Sequence, residues 1–201
     1  MYHWGLYRNI KTASMTESLK HLNRYSTPAK ALTEPAPDDE QLRLILKTAL
    51  SAPDHGRLHP YRFISIRGKA RRKLSEIFGQ ATLDHDPGVE PTYLAKQKDK
   101  PLRSPLIVVV VASLIQSPKI PEIEQMLSAG AAAHNILLAS NALGFGSIWL
   151  TGANAYDDYV CSELGLSENE RIIGFIYIGT PAIELQPRPI PEVSRHHSEW
   201  K

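Results

Sequence analysis

The segment Leu106-Ile107-Val108-Val109-Val110-Val111-Ala112 restricts the fold more than any other part of the chain. A continuous apolar, largely β-branched run prefers an extended strand. Because no polar residue alternates within it, both of its faces must be covered. The run therefore predicts a central strand of a sheet that carries helices on each side.

The flanking segments supply those helices. Asp38 and Gln41 have the spacing of a capping box, and Leu42, Ile45, Leu46 and Ala49 follow at helical spacing up to Ala52, where Pro53 ends the pattern. Arg62 to Ile66 reads as a strand, and Leu74, Ile77, Phe78 and Ala81 mark a second amphipathic helix beyond Gly68. The stretch from Asp84 to Pro105, with Pro87, Pro91 and Pro101, is polar and is expected to form a lid-like helix or loop. Ile120 to Leu143 predicts a long helix that stops at Gly144, and its middle, Ser128 to Ala133, has almost no side-chain bulk. Strands are expected at Ser147 to Thr151 and Ile172 to Gly179, with a short helix around Tyr156 to Leu164 between them. Ser18 to Leu22 reads as the end of an N-terminal helix, and the tail with Pro187, Pro189 and Pro191 is excluded from regular helix. The low-bulk helix and the extended tail are spare elements that suit a second subunit.

A chain of 201 residues that is 42% hydrophobic can bury one full core, so residues 15–201 are expected to form a single domain. Met15 opens a helical pattern, and residues 1–14 are expected to be a disordered extension. A formal charge of +2 lacks the concentrated basic surface of a nucleic-acid binder. No apolar run reaches the length of a membrane span or a secretory core. The lone Cys161 cannot form an intramolecular disulfide and is expected to be a small buried side chain, in keeping with a cytoplasmic location.

The obvious catalytic constellations are missing. Gly144-Phe145-Gly146 ends a helix and opens a strand, the reverse of a dinucleotide-binding turn, and Trp149 stands where the third glycine would be. His55 and His59 are four apart, but Pro53, Gly56 and Pro60 deny them the helix that a zinc pair needs. Asp54 and His55 have no Gly-x-Ser-x-Gly partner, so nucleophilic hydrolysis has no better support. Arg24 and Ser26, two residues apart, can hold a phosphate between a guanidinium fork and a hydroxyl, although the same pair elsewhere caps a helix or faces water.

Five segments in this order resemble the nitroreductase family, in particular its compact bacterial NAD(P)H-dependent members. They are Leu22-Asn23-Arg24-Tyr25-Ser26, Ser51-Ala52-Pro53-Asp54-His55 running on to His59-Pro60-Tyr61-Arg62-Phe63, Ser128-Ala129-Gly130-Ala131, Gly144 to Gly152, and Ile173 to Pro181. The resemblance implies an α+β fold, a three-layer αβα sandwich with a central mixed sheet, and a homodimer with FMN at its interface. It places Arg24 and Ser26 on the FMN phosphate and ribityl chain, with Tyr25 contributing through its backbone. Ser51 and His55 come from a loop near the flavin, Trp149, Leu150 and Thr151 line the isoalloxazine, and Arg188 completes the phosphate site. The implied activity is hydride transfer from NAD(P)H through FMN to a small organic acceptor such as a nitroaromatic or a quinone, in ping-pong order. The alternatives are a flavin-binding protein without turnover and a metal-dependent hydrolase using His55 and His59. Many members carry Gln-Pro-Trp where this chain has His59-Pro60-Tyr61, and a basic residue is frequent at the position of Ser51. A flavin enzyme of this kind needs no side-chain acid, base or nucleophile, because the cofactor carries the redox chemistry.

Overall fold

The computed structural model describes residues 24–184 and 190–201. The expected helix at Ser18 to Leu22, the extension at 1–14 and Arg188 lie outside these residues. Contacts divide the chain into two compact units, Ser26–Ile183 and a smaller one made of Met1–Tyr25 with Glu184–Lys201. Within the described part of the smaller unit, Val193–Arg195 forms a single 3₁₀ turn, where Arg195 lies 3.5 Å from Glu192.

The larger unit is built on five strands, β1 (Leu32–Thr33), β2 (Tyr61–Arg67), β3 (Leu106–Ser113), β4 (Gly146–Leu150) and β5 (Glu170–Pro181). The order across the sheet is β1-β5-β3-β2, and β4 pairs with the same edge of β5 as β1. All four ladders are antiparallel. The parallel pairing among the described residues is an isolated bridge between Ser26 and Ser147. Leu106 to Ala112 is wholly buried, as the apolar run requires. Leu106, Val108, Val110 and Ala112 point to one face, and Ile107, Val109 and Val111 to the other. Full burial of each such side chain contributes about 1.5–3 kcal/mol.

Two helical layers cover these faces. Helix α1 (Asp39–Ala49) and helix α4 (Glu122–Ala142) pack on the first, through Leu42, Ile45 and Ala49 from one and Ala129, Ala132, Ala133 and Ile136 from the other. Helix α2 (Ala70–His85) and the short α5 (Asp158–Glu163) pack on the second, where Phe78 meets Phe175 edge to face with ring centroids 5.5 Å apart. The three-layer α+β sandwich follows.

Local chemistry sets the helix ends. The Asp38 carboxylate accepts from the Gln41 amide at 2.8 Å while the Gln41 side chain accepts from the Asp38 amide at 3.0 Å, which completes the capping box. Helix α1 stops at Ala49, short of Ala52, because the amides of Ser51 and Ala52 turn to the carbonyls three residues back. Helix α4 closes in a Schellman turn: the Gly144 amide bonds to the Asn141 carbonyl and the Phe145 amide to that of Ser140, with Gly144 at φ 84°. In the polar stretch after Asp84, helix α3 (Pro91–Asp99) starts on its proline and lies along α2. The Ser75 hydroxyl donates to the Lys98 carbonyl there, and the Lys98 methylenes pass where Gly79 has no Cβ.

One buried carboxylate joins the ends of three strands. Glu170, at the start of β5 and 9% exposed, accepts from Arg62 of β2 at 2.6 and 2.7 Å and from Ser113 of β3 at 2.7 Å. The Ser167 amide donates to it as well. The Arg62 guanidinium, ahead of the opposing effect of burial and the bonds from Ser113 and Ser167, lowers its pKa from 4.5 to about 2. Because the folded value is depressed, the stabilisation is complete above pH 4.5 and is lost as the pH falls towards 2. Glu170→Gln is expected to lose on the order of 2 kcal/mol at neutral pH, after allowance for screening of the partly exposed Arg62. Urea unfolding at pH 7 and again near pH 3 should show that gap shrinking; a gap that stays constant would mean that the charge of Glu170 is not what is lost.

Candidate active site

Trp149, on β4, occupies a seat built by two glycines and an irregularity of β5. Opposite β3, Val110 pairs with Gly174 and Val111 with Ile172, so Ile173 is an extra residue with no β3 partner. Its carbonyl accepts from the indole N–H of Trp149 at 3.1 Å. A Cβ on Gly174 would stand 2.0 Å from the indole nitrogen, so the ring can lie there only over a glycine. At the other end of the ring, Cη2 lies 3.9 Å from where Gly130 of α4 would carry a Cβ. Gly130 thus looks onto Trp149, while Ala129, Ala132 and Ala133 take the core contacts of the low-bulk run. Leu150 and Thr151 follow Trp149 and are exposed.

The loop before β2 is held by a carboxylate and by α4. Gly56, Arg57 and His59 have φ of 76°, 57° and 48°, a left-handed region that costs the two non-glycine residues conformational energy. The largely buried Asp54 carboxylate accepts from the His59 amide at 2.7 Å and fixes this path. At φ 76° Gly56 holds a left-handed position that favours glycine, and the end of the Ile120 side chain packs where a Cβ would be. The His55 imidazole donates its Nδ1–H to the Glu124 carboxylate at 2.6 Å, the tautomer that an acceptor-only partner requires.

Helix α4 gathers several of the residues singled out in the sequence. Its first turn holds His55 through Glu124, its middle faces Trp149 through Gly130, and Asn135 donates to the Thr48 carbonyl at 3.2 Å. The same carbonyl accepts from the Ser51 hydroxyl at 2.7 Å, so Ser51 acts as a helix-end hydroxyl with only lone pairs left to offer a ligand. Ser26 is joined to the strand of Trp149 by its bridge to Ser147.

Nη1 of Arg24, in the smaller unit, is buried without a hydrogen-bond partner, and so, in the larger unit, is Oγ1 of Thr27. Buried donors of this kind are costly unless something binds them, and their chemistry suits an anionic ligand. Tyr25 beside them is half-buried. Arg188 lies outside the described residues. Cys161 is partly buried, and burial, then Asp158 and Asp157, push its thiol up, away from nucleophilic chemistry.

Sequence reasoning missed Glu124, Thr27 and Gly174 as parts of this arrangement. Only Gly174 carried a signal, as a glycine inside an otherwise apolar strand.

The model of the Nitroreductase family matches residues 22–180. The chain belongs to the nitroreductase family. Among its relatives, YdjA of Escherichia coli (strain K12), whose name provisionally makes it an NAD(P)H nitroreductase, is 37% identical over 178 residues, which cover 86% of this chain and 95% of YdjA. The fold of a nitroreductase-like family protein from Bacillus cereus superposes with a TM-score of 0.75 at 21% identity, covering 89% of this chain and 92% of that one. A nitroreductase from Bacteroides fragilis, crystallised with FMN bound, superposes with a TM-score of 0.66 at 20% identity, over 88% and 94% of the two chains. Membership in the family accounts for the ordered segments. No helix among the described residues is long and apolar enough to cross a membrane.

The seat of Trp149 gives a direct test. In a background with Trp4 and Trp200 replaced by Phe, Gly174→Ala should expel the indole, change the near-ultraviolet circular dichroism and cost about 1–3 kcal/mol through overpacking. An unchanged spectrum and unfolding midpoint would show that the ring does not depend on this glycine.

Proposed function

We propose that the protein is an FMN-dependent oxidoreductase that uses NAD(P)H to reduce a small organic acceptor such as a nitroaromatic or a quinone, with ping-pong turnover. The observation that carries this reading is the unsatisfied buried Nη1 of Arg24 in the Arg-x-Ser segment, where the family resemblance puts the FMN phosphate. Bound FMN in the Bacteroides fragilis relative supports it. When bound, FMN supplies the hydride chemistry, taking up two electrons from the nicotinamide and passing them to the acceptor.

The residues of the chain then have binding and orienting roles. Arg24 and Ser26 hold the phosphate and ribityl chain by charge-assisted and hydroxyl hydrogen bonds, Tyr25 contributes its backbone, and Arg188 adds a second cation. Trp149, Leu150 and Thr151 form the wall for the ring system, with Trp149 fixed by Ile173 and Gly174. Ser51 and His55 approach the ring from their loop, where the bond to Glu124 sets the orientation of the imidazole. The protein acts as a cytoplasmic homodimer with FMN at the interface. Support for the dimer comes from the outer surface of α4, where Ile123 and Leu127 are 61% and 65% exposed beside Met126.

Purified protein should be yellow, release FMN on denaturation and bleach with NADH or NADPH under argon; FAD as the main released flavin would overturn the assignment. A yellow protein that does not bleach would be a flavin binder without turnover. Arg24→Ala should weaken FMN binding roughly ten- to hundred-fold, the value of one or two charge-assisted hydrogen bonds, with little change in the unfolding of the flavin-free protein. Titration of FMN measures this directly, and an unchanged dissociation constant would leave Arg24 as a surface residue.

A further inference from the structure

Glu124 lies in the first turn of α4, where the helix dipole favours a carboxylate. Its side chain nevertheless reaches the loop before β2 and stands 2.6 Å from Nδ1 of His55. An acceptor-only partner keeps the proton of the neutral imidazole on Nδ1, so the ring offers a bare Nε2, a lone pair without a proton. Protonation of the ring would add an N–H at Nε2, but the carboxylate would then balance the imidazolium. In neither state does the pair carry net positive charge.

The rest of the loop has the same character. The N–H and the O–H of Ser51 both donate to the Thr48 carbonyl, at 3.1 and 2.7 Å, which leaves the hydroxyl oxygen with lone pairs alone. The largely buried Asp54 carboxylate belongs to this loop and stands 3.6 Å from Nδ1 of His59. Arg57 is the arginine of the loop, and it is exposed. Ser51 and His55, the side chains assigned to the approach to the ring, thus have their donors committed elsewhere, and the second of them is bonded to a carboxylate.

Reduction adds electron density to a flavin ring, and lone pairs with negative charge beside it stabilise the oxidised form over the reduced one. We propose, resting on the flavin reading of this site, that Glu124 is a positioning residue that holds His55 so as to make the bound flavin a stronger reductant. Each factor of ten by which the reduced flavin binds more loosely than the oxidised one lowers the midpoint potential by about 30 mV. A lower potential favours passage of the electrons to the acceptor, and Glu124 sets it without touching the cofactor.

Two measurements test the bond and its consequence separately. In the flavin-free protein, long-range ¹H–¹⁵N NMR above the end of the His55 titration should find the proton on Nδ1, and Glu124→Ala should move it to Nε2, the form that an unconstrained imidazole prefers. Glu124 is partly exposed and alanine is a good helix former, so this variant keeps the fold. In the FMN-loaded protein, spectroelectrochemical titration of Glu124→Ala should place the midpoint about 30 mV above that of the wild type, a tenfold relative gain for the reduced flavin. Most of that shift should vanish when Glu124→Ala is made in a His55→Ala background, and Arg57→Gln alone should move the midpoint less. Failure to bind FMN would overturn the flavin reading and this inference with it. A loaded protein overturns this inference alone if its His55 proton is on Nε2, if its midpoint ignores Glu124→Ala, if the shift persists without His55, or if Arg57→Gln moves the midpoint further.

Discussion

The placement of the Trp149 ring over Gly174 is the constraint from which the rest of the candidate active site is built. An indole cannot occupy that position over any residue with a Cβ, since the nitrogen would be 2.0 Å from it. The extra residue Ile173 leaves the ladder to β3 and turns its carbonyl to the indole N–H, so one irregularity of β5 supplies both the space and the acceptor. With the ring fixed, the far edge of the indole faces Gly130 of α4, 3.9 Å from where that residue would carry a Cβ.

Helix α4 translates that local fit into a larger arrangement. In its middle the core contacts are made by Ala129, Ala132 and Ala133, with Ile136 and Leu137 following a turn later, so this part of the helix axis can approach the sheet and α1 closely without loss of packing density. Close approach brings Glu124 to His55 and Asn135 to the end of α1, and it does so along one rigid element rather than through loops. The left-handed residues of the loop carrying His55 would be poorly populated alone; Asp54, Ile120 and Glu124 together hold them in place.

Much of the fold was legible because its signals are local. The apolar run Leu106 to Ala112 named its own environment, Asp38 with Gln41 named a helix start, and Gly144 named a helix end. The antiparallel order of the ladders was not readable, since strands separated by helices suit several pairings and β5 enters between β3 and β4 from the far end of the chain. The site divides in the same way. Trp149 stood out as a motif residue, but its dependence on Gly174 is a contact between neighbouring strands, and the pairing of His55 with Glu124 joins residues 69 apart. Positive φ at Arg57 and His59 has no counterpart in residue type, and the hydroxyl of Ser51, expected near a flavin, first serves the carbonyl of Thr48.

The two faces of the sandwich also differ in chemistry. On the face of α1 and α4, Trp149 sits beside glycine and alanine, while Thr27 Oγ1, a buried polar atom without a partner, stands beside Leu32 in the other layer. On the other face, Asp86 and Glu90 flank a cleft with no basic lining residue. Solvent ions, with a screening length of roughly 8 Å at physiological ionic strength, damp the field of such exposed carboxylates, whereas the low-dielectric interior of the sandwich does not. The path through solvent, and not the buried central strand, therefore sets how strongly charge at the rim of one layer is felt elsewhere on the unit.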